Sequence, residues 1–273
     1  MSDNHAIIRL ENVEKSFGRQ RVLQGVSLDV RRGETTVVIG PSGCGKSVLL
    51  KHMVALLRPD RGKVWFEDTE ISHLSERKLV PFRRKMGFLF QGAALFDSMT
   101  VAENVSFPLE EHDIGDRDER QARCLETLRL VGLEDTAGKY PEELSGGQRK
   151  RIGLARAIVM DPEVIFYDEP TTGLDPIRSD LINELILKLQ DMLNTTAVVV
   201  THDMVAARKV GDRVVMLHEG NFIADATPEQ LCKIDDEVVS RFVRGEIPPE
   251  ELEKLHPDMR TTDSANRDQR DQE

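Results

Sequence analysis

A chain of 273 residues is long enough for one large or two small domains around a substantial buried core. It is 39% apolar and 31% charged, the balance of a soluble globular protein, and 48 acids against 37 Lys and Arg give a net charge of −11, which argues against a basic nucleic-acid-binding face. No run approaches the roughly 18 apolar residues of a membrane span, Met1-Ser2-Asp3-Asn4-His5 does not open a secretory signal, and Cys44, Cys124 and Cys232 are too scattered for a disulfide framework or a zinc site, so a reduced cytoplasmic protein is predicted.

The first ninety residues alternate β-rich runs with turn signals. Ala6 to Leu10, Val26 to Val30, Thr35 to Ile39, Lys63 to Glu67 and Gly87 to Phe90 are predicted strands, punctuated by Gly18, Arg32-Gly33 and Asp60-Arg61-Gly62. A helix is predicted to start at Gly45 and run through Met53. Residues from about 97 to 160 read as mostly helical. Val105 to Leu109 is the exception: Pro108 predicts a short extended piece there. Val164 to Tyr167 and Ala197 to Val200 are continuous apolar runs, the pattern of parallel strands buried on both faces. Between them Ile182, Leu185, Ile186, Leu189 and Leu193 recur at helical spacing, which implies a strand–helix–strand crossover. Arg213 to Leu217 and Phe222 to Asp225 are predicted to close a hairpin across Glu219-Gly220. From Glu246 onward nine acids, four Lys or Arg and three Pro replace the apolar pattern, and the final dozen residues are expected to be disordered.

The chemistry concentrates at strand ends. Gly40-Pro41-Ser42-Gly43-Cys44-Gly45-Lys46-Ser47, with Val48 beyond it, matches GxxxxGK[ST] between a predicted strand and a predicted helix. Such a loop curls its N–H groups around a phosphate at a helix N-terminus. Lys46 reaches the β- and γ-phosphates and the Ser47 hydroxyl ligates Mg2+. Cys44 has two readings: a thiol with its pKa lowered by Lys46 and the helix end, or, the favoured one, a small loop residue. The run Val164 to Tyr167 ends in Asp168 and Glu169, candidates for holding Mg2+ and for general base. His202 ends the next strand and could lie at the same edge.

Leu144-Ser145-Gly146-Gly147-Gln148, followed by the basic amphipathic run Arg149 to Ala157, resembles the signature motif of ABC ATPases. The chain to about residue 230 follows that family's order. The resemblance implies an α/β P-loop NTPase core with a parallel sheet, an antiparallel β subdomain and a helical subdomain at about 92–160. It places the ATPase domain at 1–245 and a C-terminal extension at 246–273. It also implies ATP and Mg2+ as cofactors, and a head-to-tail homodimer in which Ser145, Gly146, Gly147 and Gln148 of one copy close over the ATP of the other. Carried over by position, Phe17 stacks on adenine (the family more often has Tyr, and a core aromatic is the alternative), and Gln91 senses Mg2+ and the membrane partner. Asp175, in Gly173-Leu174-Asp175-Pro176, belongs to the loop that crosses the dimer. Glu169, His202, Lys46 and Gln91 then form the catalytic set, and Ser47, Gln91 and Asp168 the metal set.

Only 54 positions separate Gln91 from Ser145, too few for the coiled-coil arm of repair ATPases, and a single motif set excludes translation-type members. Gly92-Ala93-Ala94-Leu95-Phe96-Asp97-Ser98 resembles the lipid-transport subfamily, the Mla and Mce-associated ATPases. That resemblance implies phospholipid movement between inner and outer membranes, from the cytoplasmic face of the inner membrane. The partners it implies are a membrane permease, an Mce-type substrate-binding protein and a small STAS-domain regulator, without nucleic acid. Another cargo (an amino acid or a metal) and a cell-division role remain as alternatives. The tail past Gly245 reads equally as a segment docked on the partner or as a solvated one.

Overall fold

Two kinds of apolar pattern build two kinds of sheet. A computed structural model describes residues 6–247. A first compact unit ends at Lys233 and a second begins at Ile234. β1 (Ala6–Phe17) and β2 (Gln20–Arg31) pair antiparallel, and β3 (Thr35–Ile39) leads into α1 (Lys46–Met53). β4 (Arg61–Phe66), β5 (Thr69–Glu70), α2 (Glu76–Arg83) and β6 (Met86–Leu89) follow. Three helices come next: α3 (Val101–Glu111), α4 (Arg117–Leu130) and α5 (Gly146–Ile158). β7 (Val164–Asp168), α6 (Pro176–Leu193) and β8 (Thr196–Val200) form the expected strand–helix–strand. α7 (Met204–Val210), β9 (Arg213–His218), β10 (Asn221–Ala226) and α8 (Pro228–Leu231) complete the first unit, and α9 (Glu237–Arg244) belongs to the second.

The alternating strands give a four-stranded sheet, β2-β1-β4-β5, whose inward residues include Leu10, Val26, Leu28, Val64 and Phe66. The continuous apolar strands give a six-stranded sheet, β10-β9-β3-β8-β7-β6, with β3, β7 and β8 buried along their whole length. Phe166, Val198 and Val215 from it share one core with Ile8, Leu10 and Phe66, so α1 is clamped between the two sheets through Leu49, Leu50 and Met53. β9 and β10 turn tightly at Glu219 (φ 45) and Gly220 (φ 76). Two consecutive left-handed residues match the twist of an antiparallel pair.

Three differences from the sequence reading have physical causes. β1 runs on to Phe17 because register shifts between Leu10 and Val13, with Asn12 at φ 47, break the alternation that marks a strand without ending it. Val105 to Leu109 is not extended. α3 continues through Pro108, held by a Thr100–Glu103 capping box and by Val101, Val105 and Leu109 buried on one face. α6 begins six residues before the periodic stretch, at Pro176, because the Asp175 side chain caps it, accepting from the Arg178 N–H at 3.0 Å. In the second unit, α9 is capped by Asp236 and ends at Gly245, φ 69. The expected extension lies outside the described residues beyond Ile247.

Candidate active site

The sheet register assembles the site. β6, β7, β8, β3 and β9 are parallel, with Leu89 opposite Tyr167, Asp168 opposite Val200, and Val38 opposite Val200. Their C-terminal ends therefore open on one edge, where ligands bind open α/β sheets. The 40–47 loop leaves β3 there, Gln91 stands two residues past β6, Asp168 and Glu169 end β7, and His202 stands two residues past β8.

The loop is shaped by close approach. A Cβ on Gly40 would lie 2.1 Å from the Leu217 carbonyl oxygen, so no other residue fits. Lys46 is 6% exposed, and its ammonium donates to the Gly40 and Pro41 carbonyls at 2.8 and 3.0 Å. The same group lies 3.9 Å from Glu169 Oε1. The Ser47 hydroxyl donates to Asp168 Oδ1 at 2.9 Å. Burial pushes the Asp168 carboxyl above its ordinary value, opposed by that hydrogen bond. A hydroxyl beside a carboxylate is a hard oxygen donor set, which fits Mg2+.

Glu169 is fixed at both ends. Its backbone is left-handed, φ 50, a strained setting for a residue with a side chain. Its N–H donates to the Val200 carbonyl at 2.9 Å, and its own carbonyl accepts from Lys150 Nζ at 3.1 Å. Glu169 Oε2 accepts from the Thr172 hydroxyl at 3.0 Å and lies 2.9 Å from His202 Nδ1. A carboxylate at that distance favours the proton on Nδ1. Lys46, Glu169 and His202 thus form one connected set of side chains, and Ser47 with Asp168 forms a second, each member adjacent in sequence to one of the first.

The signature segment is elsewhere. Ser145 caps α5: its hydroxyl accepts from the Gln148 N–H, and Gln148 Oε1 accepts from the Ser145 N–H. A Cβ on Gly146 would face Leu174 at 3.9 Å, and one on Gly147 would face Arg178 at 3.5 Å. Among the described residues no hydrogen bond joins 145–148 to the 40–47 loop. Asp175, Gln91 and Ser145 are exposed.

A family model of ABC transporters matches residues 23–172, more than half of the chain. The chain belongs to the ABC transporter family. It is an ATP-binding domain that hydrolyses ATP to drive transport. Mkl of Mycobacterium leprae, named a probable ribonucleotide transport ATP-binding protein, is 42% identical over 238 residues, 87% of this chain and 69% of that one. MlaF of Haemophilus influenzae, named the ATP-binding protein of an intermembrane phospholipid transport system, is 38% identical over 243 residues, 89% of this chain and 92% of that one. A dimeric ATP-binding cassette in a post-hydrolysis state with ADP and Pi superposes with a TM-score of 0.75 at 36% identity, over 81% of this chain and 98% of that one.

Other positions of this ABC domain refine the sequence reading. Phe17 is 48% exposed at the end of β1, with Lys15 Nζ 5.6 Å from its ring centre, so it is not a core aromatic. Burial raises the Cys44 thiol pKa despite the opposing charge of Lys46, which agrees with the favoured reading of a small loop residue. Val48 leans on the core beside the loop. Sequence reasoning missed the tethers. Burial lowers Lys150 to about 8, and its bond to Glu169 has no local sequence signal. Asn104 accepts from the Phe96 N–H and donates to the Phe96, Met99 and Thr100 carbonyls. Arg156 donates to the Ala93 and Ala94 carbonyls. Together they shape a groove of about 490 Å³ lined by Phe88, Phe90, Phe96, Phe107 and His112.

Proposed function

We propose that this ABC ATPase is the hydrolytic subunit of a transporter moving phospholipid between inner and outer membranes. It acts as a homodimer at the cytoplasmic face of the inner membrane, on a permease accompanied by an Mce-type binding protein and a STAS-domain regulator. The single observation that carries the cargo is the match to MlaF over 92% of that protein's length. The segment from Gly92 to Ser98 and the aromatic groove beside it support a membrane partner docking there. Among the described residues no helix is long and apolar enough to cross a membrane, so the lipid path belongs to that partner. The ATPase domain is assigned to 1–245, with its helical subdomain at about 92–160, and the extension to 246–273.

In the mechanism, the open face of Phe17 takes the adenine. The 40–47 backbone, Val48 at the start of α1 and the Lys46 ammonium hold the phosphates. Ser47, Asp168 and Gln91 would hold Mg2+, which neutralises charge on the β- and γ-phosphate oxygens. Glu169 accepts a proton from the attacking water at its carboxylate, and His202 holds that carboxylate in place. Ser145, Gly146, Gly147, Gln148 and Asp175 of a second copy complete the pocket.

Glu169→Gln, co-expressed with the permease and supplied with MgATP, tests both halves. The expected result is a trapped dimer, ATP turnover down about a thousandfold, and phospholipid in extracts of the purified complex. Near-normal turnover would refute the base assignment. A ribonucleotide in place of lipid would favour the Mkl-like reading, which the 42% identity supports. An amino acid, a metal or a divisome protein would favour the remaining alternatives.

A further inference from the structure

We propose that Lys150 is a positioning residue that ties the two ATP sites of the dimer together through a single protomer. The inference rests on the head-to-tail pairing proposed above.

Lys150 lies in the second turn of α5, whose first residues, after the Ser145 cap, are Gly146 and Gly147. Those residues serve the nucleotide bound by the other copy. The Lys150 ammonium, buried at 6% exposure, donates instead to the main-chain carbonyl of Glu169, which serves the nucleotide of its own copy. One rigid helix therefore touches one site with its tip and the water-activating residue of the other site with its flank.

The tether acts where the backbone is least at ease. Glu169 at φ 50 holds its conformation only because its surroundings over-determine it. Val200, Thr172 and His202 fix it from the sheet edge and the following loop. Among the described residues Lys150 is the one hydrogen-bonding partner from the helical subdomain. A shift of α5 as its tip closes on a nucleotide would move the Glu169 peptide and re-aim the carboxylate. A buried cation spent on a neutral carbonyl is a costly way to fill space; Met would pack as well. Arg would keep the charge and the donor.

The test is steady-state ATPase activity of the full chain, against ATP concentration, for wild type, Lys150→Met and Lys150→Arg. Circular dichroism melts confirm folding, and Lys150→Leu, which also lacks a donor, serves with the same expected outcomes if the Met variant is unstable. Lys150→Met is expected to lower kcat about tenfold with KM within about twofold, and to bring the Hill coefficient from above 1 to about 1. Lys150→Arg is expected to restore both. Unchanged cooperativity and kcat in Lys150→Met, or an Arg variant as impaired as Met, would overturn the proposal. A wild type that is itself non-cooperative, with Glu169→Gln staying monomeric in MgATP, would instead sink the pairing on which it rests.

Discussion

Lys150 carries a second consequence, through protons. Its folded pKa of about 8 lies below the ordinary lysine value of 10.5 because burial disfavours the charge. Between those values the unfolded chain binds more protons than the folded one, so stability rises with pH across that window. Urea midpoints measured from about pH 8 to about pH 10 are expected to climb for the wild type relative to Lys150→Met. At this scale the sequence showed the parts but not their wiring. The phosphate loop, Asp168 and Glu169 were legible because a glycine pattern and two acids at the end of an apolar run are local signals. The lysine bonded to a carbonyl nineteen residues away was not, since that contact exists only once α5 packs beside the end of β7. Phe17 required the resemblance to be singled out, and the structure to show that its ring is open.

Whole elements were read from period and misread at their ends. The apolar runs of β3, β7 and β8 coincide with the strands because nothing interrupts them, and the alternating stretch of β1 was cut short by its irregular register. Pro108 was overweighted. One missing N–H costs a helix less than an apolar face and a capping box return to it. Within that helix, Asn104 is fully buried and uses its whole amide on the 96–100 segment. Asn104→Ala would strand those backbone groups, and a loss of about 1–3 kcal/mol is expected in chemical denaturation. The same variant should keep its affinity for ATP, measured by nucleotide titration, because Asn104 lies on α3 and its side chain bonds only to the 96–100 segment, not to the 40–47 loop. Transport by the assembled complex should fall more than ATP binding, since the groove beside Phe96 loses its support.

At the scale of the molecule, the joint between the two sheets is partly electrostatic. Arg32 pairs with Glu67 and Glu163, and Lys85 pairs with the same two acids. These four residues sit at the ends of strands from both sheets, and each is partly exposed, so water screens them. Replacing Arg32 and Lys85 together by Ala is expected to cost about 1 kcal/mol. The loss should shrink in high salt, read from urea midpoints with and without added sodium chloride. The parallel sheet was legible in its continuous apolar runs, whereas the antiparallel sheet was expected only from the family resemblance. The charged joint was not, because its members come from four separate turns.

The glycines that open α5 face Leu174 and Arg178, and among the described residues no hydrogen bond ties them to the phosphate loop. On the proposed pairing, an unassembled copy carries half of each of two reaction chambers and all of neither. Such a copy can hold fuel without burning it. The cell can therefore keep spare subunits at no running cost, and consumption begins only when two copies meet.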